Sequence, residues 1–235
     1  MRLDKYLANM HIGSRSEVKL MIKKGLAAVN ETVIKDPGFS VSEEDKVTVS
    51  GREVAYREHF YYMLNKPAGV VTATEDKRDE TVLDLFPEEL RRGLIPVGRL
   101  DKDTVGLLLI MDDGALAHEL LSPAHHVDKK YLVRTDTPMK PEDAEEFAKG
   151  MSLKDGTELK PAILEISGAD DCEALVTIRE GKYHQIKRML AHCGHSVVYL
   201  KRLSMGEVSL DPALKEGEYR ELTEDEIALL LGIKE

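Results

Sequence analysis

Apolar residues near the start of the chain recur at helical spacing and predict two short helices. The apolar face of the first, over residues 2–10, consists of Leu3, Tyr6, Leu7 and Met10. Ser14 can begin the second helix, because Glu17 follows three residues later and completes a capping box. This helix should end near Lys24, since a glycine comes next.

Beyond residue 25, alternating apolar positions and turn residues predict a strand-rich chain with interspersed helices. The predicted strands are 27–29, 32–34, 46–49, 61–64, 107–111, 130–135, 162–166, 174–178 and 196–203. Helices are predicted at 83–85 with its flanks, 115–121, 141–150 and 184–191, and from Thr223 onward. We therefore predict an α+β fold: a small N-terminal α/β module (1–58), then a larger domain (59–235) with a mixed, mostly antiparallel β-sheet and flanking helices. The polar residues 51–59 are predicted to be a linker.

Charge is distributed unevenly along the 235 residues, although the formal net charge is −10. Basic residues concentrate in residues 1–24 and 181–202, whereas the rest of the chain is acidic. Two basic patches on an acidic body favour a polyanionic partner held at chosen places, although each run alone could be a solvated helix face.

Composition and motifs also predict where the protein is located in the cell and whether it needs a cofactor. No apolar run approaches the roughly 20 residues that span a bilayer, and the N-terminus is charged, so we expect a cytoplasmic protein with no membrane partner. The two cysteines cannot build a disulfide framework. His192, Cys193 and His195 are too few and too closely spaced to predict a metal site, and no nucleotide-binding motif is present, so no cofactor is expected.

Candidate chemistry centres on Asp101, a carboxylate between a Gly-Arg turn and an apolar strand. A turn alone could explain an aspartate there. The segment could also belong to a haloacid-dehalogenase-like phosphatase, with Asp112 and Asp113 as its acidic metal pair. That family, however, places an apolar strand before its nucleophile and its acidic pair far downstream, so this alternative is disfavoured.

The first 50 residues or so resemble the S4 RNA-binding module of ribosomal protein S4 and several RNA-modifying enzymes. The residues that carry the resemblance are Gly13-Ser14-Arg15-Ser16 before the second helix and Lys24-Gly25 followed by Asn30 after it. The resemblance implies that the second helix lies against an RNA backbone. Arg15, Lys19 and Lys23 are spaced to meet phosphates, which give affinity without sequence choice.

The rest of the chain resembles the ribosomal small subunit pseudouridine synthase A family. Its motifs are Leu64-Asn65-Lys66-Pro67-Ala68-Gly69-Val70, Gly98-Arg99-Leu100-Asp101, Lys129-Lys130-Tyr131 and Glu180-Gly181-Lys182-Tyr183-His184-Gln185-Ile186-Lys187-Arg188-Met189. The resemblance implies isomerisation of a uridine in ribosomal RNA, with 16S favoured over 23S by the form of the last motif. The enzyme would flip the target base out of its stack.

Three residues take catalytic roles by this resemblance. Asp101 is the implied nucleophile, Tyr131 packs on the uracil and takes part in removing the C5 proton, and Lys187 keeps the aspartate ionised. Two of these residues could have plainer roles, Tyr131 as a core aromatic and Lys187 as a phosphate contact. Asp103 is expected to brace its own loop.

We also predict a set of RNA contacts, with ribosomal RNA or an assembly intermediate as the partner and a monomeric enzyme. This set consists of Arg2, Lys5, Arg15, Ser16, Lys19, Lys23, Lys66, Arg99, His184, Gln185 and Arg188. For Lys66, a structural turn is an equal alternative. An inactive RNA-binding protein is the remaining competing function, and retention of Asp101, Tyr131 and Lys187 argues against it.

Overall fold

The computed structural model describes residues 1–122, 127–168 and 170–232. Their contacts divide them into two compact units, Met1–Phe60 with Phe86–Arg92, and Tyr61–Leu85 with the chain from Gly93 onward. The segment Phe86–Arg92 therefore joins the first unit, whereas a boundary at residue 58 would assign it to the second. In this unit an imidazole nitrogen of His11 lies 2.8 Å from the carbonyl oxygen of Glu89.

The first unit contains two helices and a small antiparallel sheet in the strand order β2-β1-β3-β4. Its elements are α1 (Leu3–Asn9), α2 (Arg15–Lys23), β1 (Ala27–Val29), β2 (Thr32–Ile34), β3 (Val47–Val49) and β4 (Arg52–Glu53). The predicted capping box of α2 is present, because Ser14 and Glu17 each receive the other's backbone N–H. The apolar faces of both helices pack with the strands into one core that includes Leu3, Leu7 and Ile22.

The second unit is built on one large mixed sheet with the strand order β11-β12-β8-β13-β7-β5-β15, to which β14 adds at β13 and β6 at β7. Its strands are β5 (Tyr61–Lys66), β6 (Ile95–Pro96), β7 (Val105–Met111), β8 (Lys129–Thr135), β11 (Ile163–Ser167), β12 (Glu173–Ile178), β13 (Val197–Met205), β14 (Val208–Ser209) and β15 (Tyr219–Glu221). Its helices are α3 (Gly114–Leu121), α4 (Pro141–Lys149), α5 (Gln185–His192) and α6 (Glu224–Leu231), and β9 (Met151–Ser152) pairs separately with β10 (Glu158–Leu159). The predicted α+β class with a mostly antiparallel sheet is confirmed.

Strand β7 lies inside this sheet, and the candidate catalytic residue Asp101 comes shortly before its N-terminal end. All of its residues are buried, as its continuous apolar run predicts for a strand covered on both faces. It pairs antiparallel with β5 and parallel with β13, where Lys201 faces Val105 and Arg202 faces Gly106. A β-carbon at Gly106 would lie 2.3 Å from the Arg202 carbonyl oxygen, so only glycine permits this approach of the strands.

Two features differ from the sequence prediction. Residues 83–85 form turns and no helix, because the Asp84 carboxylate accepts from the backbone and hydroxyl of Thr81 and Pro87 prevents helical continuation. The predicted linker 51–59 contains β4, and the other strands that the pattern missed are two or three residues long. Within 1–122, 127–168 and 170–232, none of the helices has both the length and the apolarity needed to span a bilayer.

Candidate active site

Asp101 lies on a tight loop, residues 101–104, between the end of the Gly-Arg turn and β7. The backbone N–H of Thr104 donates to the Asp101 carbonyl oxygen at 3.1 Å, which closes the turn. Before it, the buried Thr72 hydroxyl pins Leu100 by donating to its carbonyl and accepting from its N–H. The backbone on both sides of Asp101 is therefore fixed, and the sequence alone offered no signal for Thr72.

Lys66 fixes the same loop through hydrogen bonds to its backbone. Its side chain at the end of β5 is fully buried, and Nζ donates to the carbonyl oxygens of Pro67, Asp101 and Thr104 at 2.9–3.1 Å. Burial lowers the pKa of this ammonium from 10.5 to about 8, against the opposing charges of Asp103 and Asp101. The predicted RNA contact at Lys66 is therefore wrong: the side chain is satisfied by backbone and has no access to a polyanion.

Lys187, on α5, brings a cation to the carboxylate of Asp101. Its Nζ lies 3.1 Å from Asp101 Oδ2 and 2.5 Å from Asp103 Oδ1. Burial alone would lower the pKa of Lys187, but hydrogen bonds to Asp103 and Asp101 outweigh it and raise that pKa. The hydrogen bond from Lys187 lowers the pKa of Asp103 in turn. The ammonium thus stays charged between two carboxylates, one of which, Asp101, is about a quarter exposed.

The residue before α5 adds a second polar group beside Asp101. His184 adopts the left-handed backbone region, at φ 48° and ψ 36°, and its Nε2 lies 3.5 Å from Asp101 Oδ1. Such a conformation costs about 1–3 kcal/mol in a residue other than glycine and persists only where the surroundings impose it. Gln185, predicted to contact RNA, is instead buried and accepts from the Lys182 N–H while donating to Glu180, so it fixes the loop before α5.

A pocket opens over these groups and contains the third predicted catalytic residue. Its walls are Arg99, Leu100, Asp101, Thr104, Tyr131, Ile178, Gly181, Lys182, His184, Gln185, Ile186, Lys187 and Leu200. Tyr131 comes from β8, opposite Arg202 of β13, and is nearly buried. The buried Arg202 donates to the Leu107 carbonyl oxygen at 2.6 Å and so ties β13 to β7 beneath the pocket. Asp101, Tyr131 and Lys187 therefore line one cavity, although they lie far apart in the chain.

The remaining predicted RNA contacts divide between the two units. In the first unit, Lys5, Arg15, Ser16, Lys19 and Lys23 are exposed. We refer to Arg15, Lys19 and Lys23 as the basic face of α2. Arg2 is exposed but paired with Asp4 at 2.9 Å. In the second unit, Arg99 is exposed at the pocket, whereas Arg188 is three-quarters buried and bound to Asp155 and Thr157.

The described residues contain no arrangement that matches a magnesium-dependent phosphatase or a metal site. Asp113 lies at the far end of β7 from Asp101 and accepts from the Leu116 N–H as the cap of α3, which removes the acidic pair proposed for a phosphatase. His195 is buried between Asp143 and Thr137, each 2.8–2.9 Å from a ring nitrogen. Burial raises the pKa of Cys193 to about 11. Across 1–122, 127–168 and 170–232, His, Cys, Asp and Glu nowhere gather in a group of three that could hold a metal ion.

Comparison with protein families identifies both units. Residues 60–192 match the family model described as RNA pseudouridylate synthase, and residues 1–47 match the S4 domain. The chain belongs to the RNA pseudouridylate synthase family. The S4 domain contains the basic face of α2, and the synthase region contains Asp101, Tyr131 and Lys187.

Relatives of this synthase match it over nearly its whole length. Uncharacterized RNA pseudouridine synthase YtzG of Bacillus subtilis is 52% identical and covers 98% of both chains. Ribosomal small subunit pseudouridine synthase A of Escherichia coli is 42% identical over 97% of this chain and 99% of its own. A crystal structure of a pseudouridylate synthase, 39% identical, superposes with a TM-score of 0.70 and covers 98% of this chain and 99% of that chain.

Proposed function

We propose that this synthase converts one specific uridine of ribosomal RNA, in the 16S molecule of the small subunit, into pseudouridine. The observation that carries the mechanism is the contact of 3.1 Å between Lys187 Nζ and Asp101 Oδ2 in a pocket that Tyr131 also lines. Relatives named ribosomal small subunit pseudouridine synthase A, at 42% identity, support the choice of 16S RNA. The protein acts as a cytoplasmic monomer on ribosomal RNA or an assembly intermediate.

Asp101 supplies the carboxylate that the reaction needs. Cleavage of the N1–C1′ bond leaves its electron pair on the uracil and positive charge at C1′, which the carboxylate captures. The ammonium of Lys187 lies 3.1 Å from Asp101 Oδ2 and holds this carboxylate in position for the attack. Since Asp101 is about a quarter exposed, a ribose can reach it from the cavity.

Tyr131 serves the second half of the reaction. The freed uracil turns, and C5 forms the new bond to C1′ as the bond between C1′ and the Asp101 oxygen breaks and releases the carboxylate. The proton on C5 then leaves, and N1 takes up a proton. The tyrosine ring holds the uracil face, and its phenolic oxygen accepts or relays the C5 proton. Nothing is consumed, so the substrate and product have the same composition.

The target base must leave its stack before this chemistry, which costs a few kcal/mol and requires compensating contacts. Arg99 and His184 at the pocket are placed to supply them. The basic face of α2 contacts phosphates elsewhere on the RNA and gives affinity that does not depend on sequence. Together with the remaining S4 residues Arg2, Lys5 and Ser16, and with Arg188, these are the proposed RNA contacts.

Pseudouridine mapping of 16S and 23S RNA, from cells with and without this gene, tests the substrate. We expect one 16S position to lose its pseudouridine when the gene is removed. Loss of a 23S position alone would move the substrate to the large subunit, and unchanged maps of both molecules would refute the proposal.

The variant Asp101→Asn tests the mechanism. It should abolish pseudouridine formation on 16S RNA and keep RNA binding, because the amide cannot capture C1′. Asp103→Asn is the matched control: this carboxylate also contacts Lys187 but is about three-quarters exposed, so its loss should spare most turnover. A parent protein that binds RNA without forming pseudouridine would instead support an inactive RNA-binding protein.

A further inference from the structure

An exposed aromatic ring stands beside the candidate active site and has no role in the chemistry described above. Tyr183 is 76% exposed, the largest exposed fraction of any large hydrophobic residue in the described chain. The ring stacks on the imidazole of His184, with centroids 3.8 Å apart and an interplanar angle of 17°. A tyrosine ring offers a flat apolar face, so an exposed ring beside a catalytic pocket can stack on a ligand.

The stack contacts Asp101 through His184. His184 is fixed in the left-handed region directly before α5, and its other contact is the Asp101 carboxylate at 3.5 Å. One face of the Tyr183 ring is covered by this imidazole, and the exposed fraction shows that the rest is open. The open face is turned away from His184, so a base stacked there would be separated from the Asp101 carboxylate by the rings of Tyr183 and His184.

A second cleft, of about 440 Å³, continues from the catalytic pocket past Tyr183. It shares six lining residues with that pocket, among them Asp101 and His184, and its size falls within the roughly 300–1,000 Å³ of small-molecule sites. Its other walls are Val71, Thr72, Ala73, Asp76, Arg99, Leu100, Lys102, Gly181 and Lys182. Of its three basic side chains, Lys102 pairs with Asp79 and Lys182 donates to the Glu158 carbonyl oxygen, whereas Arg99 is exposed. A nucleotide suits this cleft, because its phosphate can meet Arg99 while its base stacks on an aromatic ring.

We propose that Tyr183 and His184 form a stacking platform for the nucleobase directly next to the target uridine in the RNA strand. This inference rests on the proposed function, because it takes the target uridine to lie at Asp101. Once the uridine enters the pocket, its neighbour loses a stacking partner, and the platform replaces it. Because every base has an aromatic face, the platform contributes affinity with little choice of sequence.

The probe is a five-residue single-stranded RNA with a central uridine and 2-aminopurine as one neighbour, whose fluorescence falls when it stacks. The full-length protein should quench this probe, and Tyr183→Phe should retain the quenching because its ring can still stack. Tyr183→Ala should lose the quenching and raise the Kd for the probe roughly 5- to 100-fold. Ile163→Ala, an exposed apolar residue on the edge strand β11, is the control that should behave like the parent.

Turnover on a 16S RNA transcript separates this inference from the proposed function. Tyr183→Ala should raise KM and leave kcat nearly unchanged, since stacking of the neighbour stabilises the bound substrate and the transition state equally. A parent protein that makes no pseudouridine refutes the proposed function, while the quenching still reports on the platform. Equal quenching and Kd for Tyr183→Ala and the parent, or a probe that binds unquenched or does not bind, would overturn the platform.

Discussion

The hydrogen bonds from the buried ammonium of Lys66 are predicted to position the 101–104 loop. Measurements of stability and of turnover together test this prediction. Lys66→Met keeps an unbranched side chain that is one heavy atom shorter, and it removes the donor to the carbonyl oxygens of Pro67, Asp101 and Thr104. The loop that presents Asp101 then loses its anchor. A displacement of about 1 Å at a reacting group can reduce the rate on the order of 100-fold, so we expect kcat to fall by about that factor.

The pH dependence of stability gives a separate measure of the free energy that burial of the Lys66 charge costs. The pKa of Lys66 falls from 10.5 in the unfolded chain to about 8 in the folded protein, because burial disfavours the charged form. At about 1.4 kcal/mol per pKa unit, the buried charge opposes folding by about 3 kcal/mol below pH 8. Between pH 8 and 10.5 the unfolded chain binds more protons, so this opposition disappears as the pH rises and the free energy of unfolding increases.

Urea unfolding between about pH 7.5 and 9.5 gives the free energies of unfolding of the parent and of Lys66→Met. The difference between these two free energies should change by about 2 kcal/mol across the range. Lys129→Met is the matched control. Burial also lowers the pKa of Lys129 to about 8, but its Nζ donates to Val127 and not to the loop. This control should show the same loss of pH dependence and retain kcat.

Two results would refute this reasoning about Lys66. If Lys66→Met and the parent show the same pH dependence of unfolding, the ammonium is not buried as described. If kcat of Lys66→Met stays within a factor of two or so of the parent, the carbonyl contacts do not position Asp101.

Further substitutions probe the pocket, the sheet and the S4 domain. Tyr131→Phe should keep RNA affinity and lose turnover, measured by pseudouridine formation; near-normal turnover would remove the phenolic oxygen from the mechanism. Gly106→Ala should destabilise the fold by more than about 2 kcal/mol, since its β-carbon would meet the Arg202 carbonyl, whereas Gly114→Ala on α3 meets nothing; equal melting temperatures would contradict this. Alanine at all three positions of the basic face of α2 removes three phosphate contacts, which should reduce the slope of log K against log salt concentration for RNA binding by about two. An unchanged slope would show that this face does not bind phosphate.

Patterns of apolar residues were sufficient for most of the fold. Among the longer elements, β7 is a continuous apolar run and α5 has a helical period, and α2 and α6 begin at capping boxes visible in the sequence. The short strand β15 was missed, because three residues give too little alternation to detect and this strand forms by pairing with the longer β5. Residues 83–85 show the opposite error, since a local apolar run was overruled by Pro87.

The candidate site was predictable only where resemblance supplied the missing geometry. Asp101 stands out because it interrupts an apolar context, but no local rule joins it to Lys187 on α5. Lys66 was misplaced for a physical reason: lysines are mostly exposed, and only the folded backbone gathers the carbonyl oxygens that make its burial tolerable. The pairing of Asp103 with Lys187 was likewise invisible, because it depends on how the loop faces the helix.

The parallel pairing of β7 with β13 has a consequence for the making of this protein. During synthesis β7 emerges from the ribosome long before β13. One edge of this apolar strand therefore stays unpaired until β13 has been made. Such an open edge invites pairing with other chains, and contacts between distant segments form slowly. Nascent chains stalled between Met111 and Val197 should therefore depend on chaperones, and the cleft around Asp101 can mature only after translation passes β13.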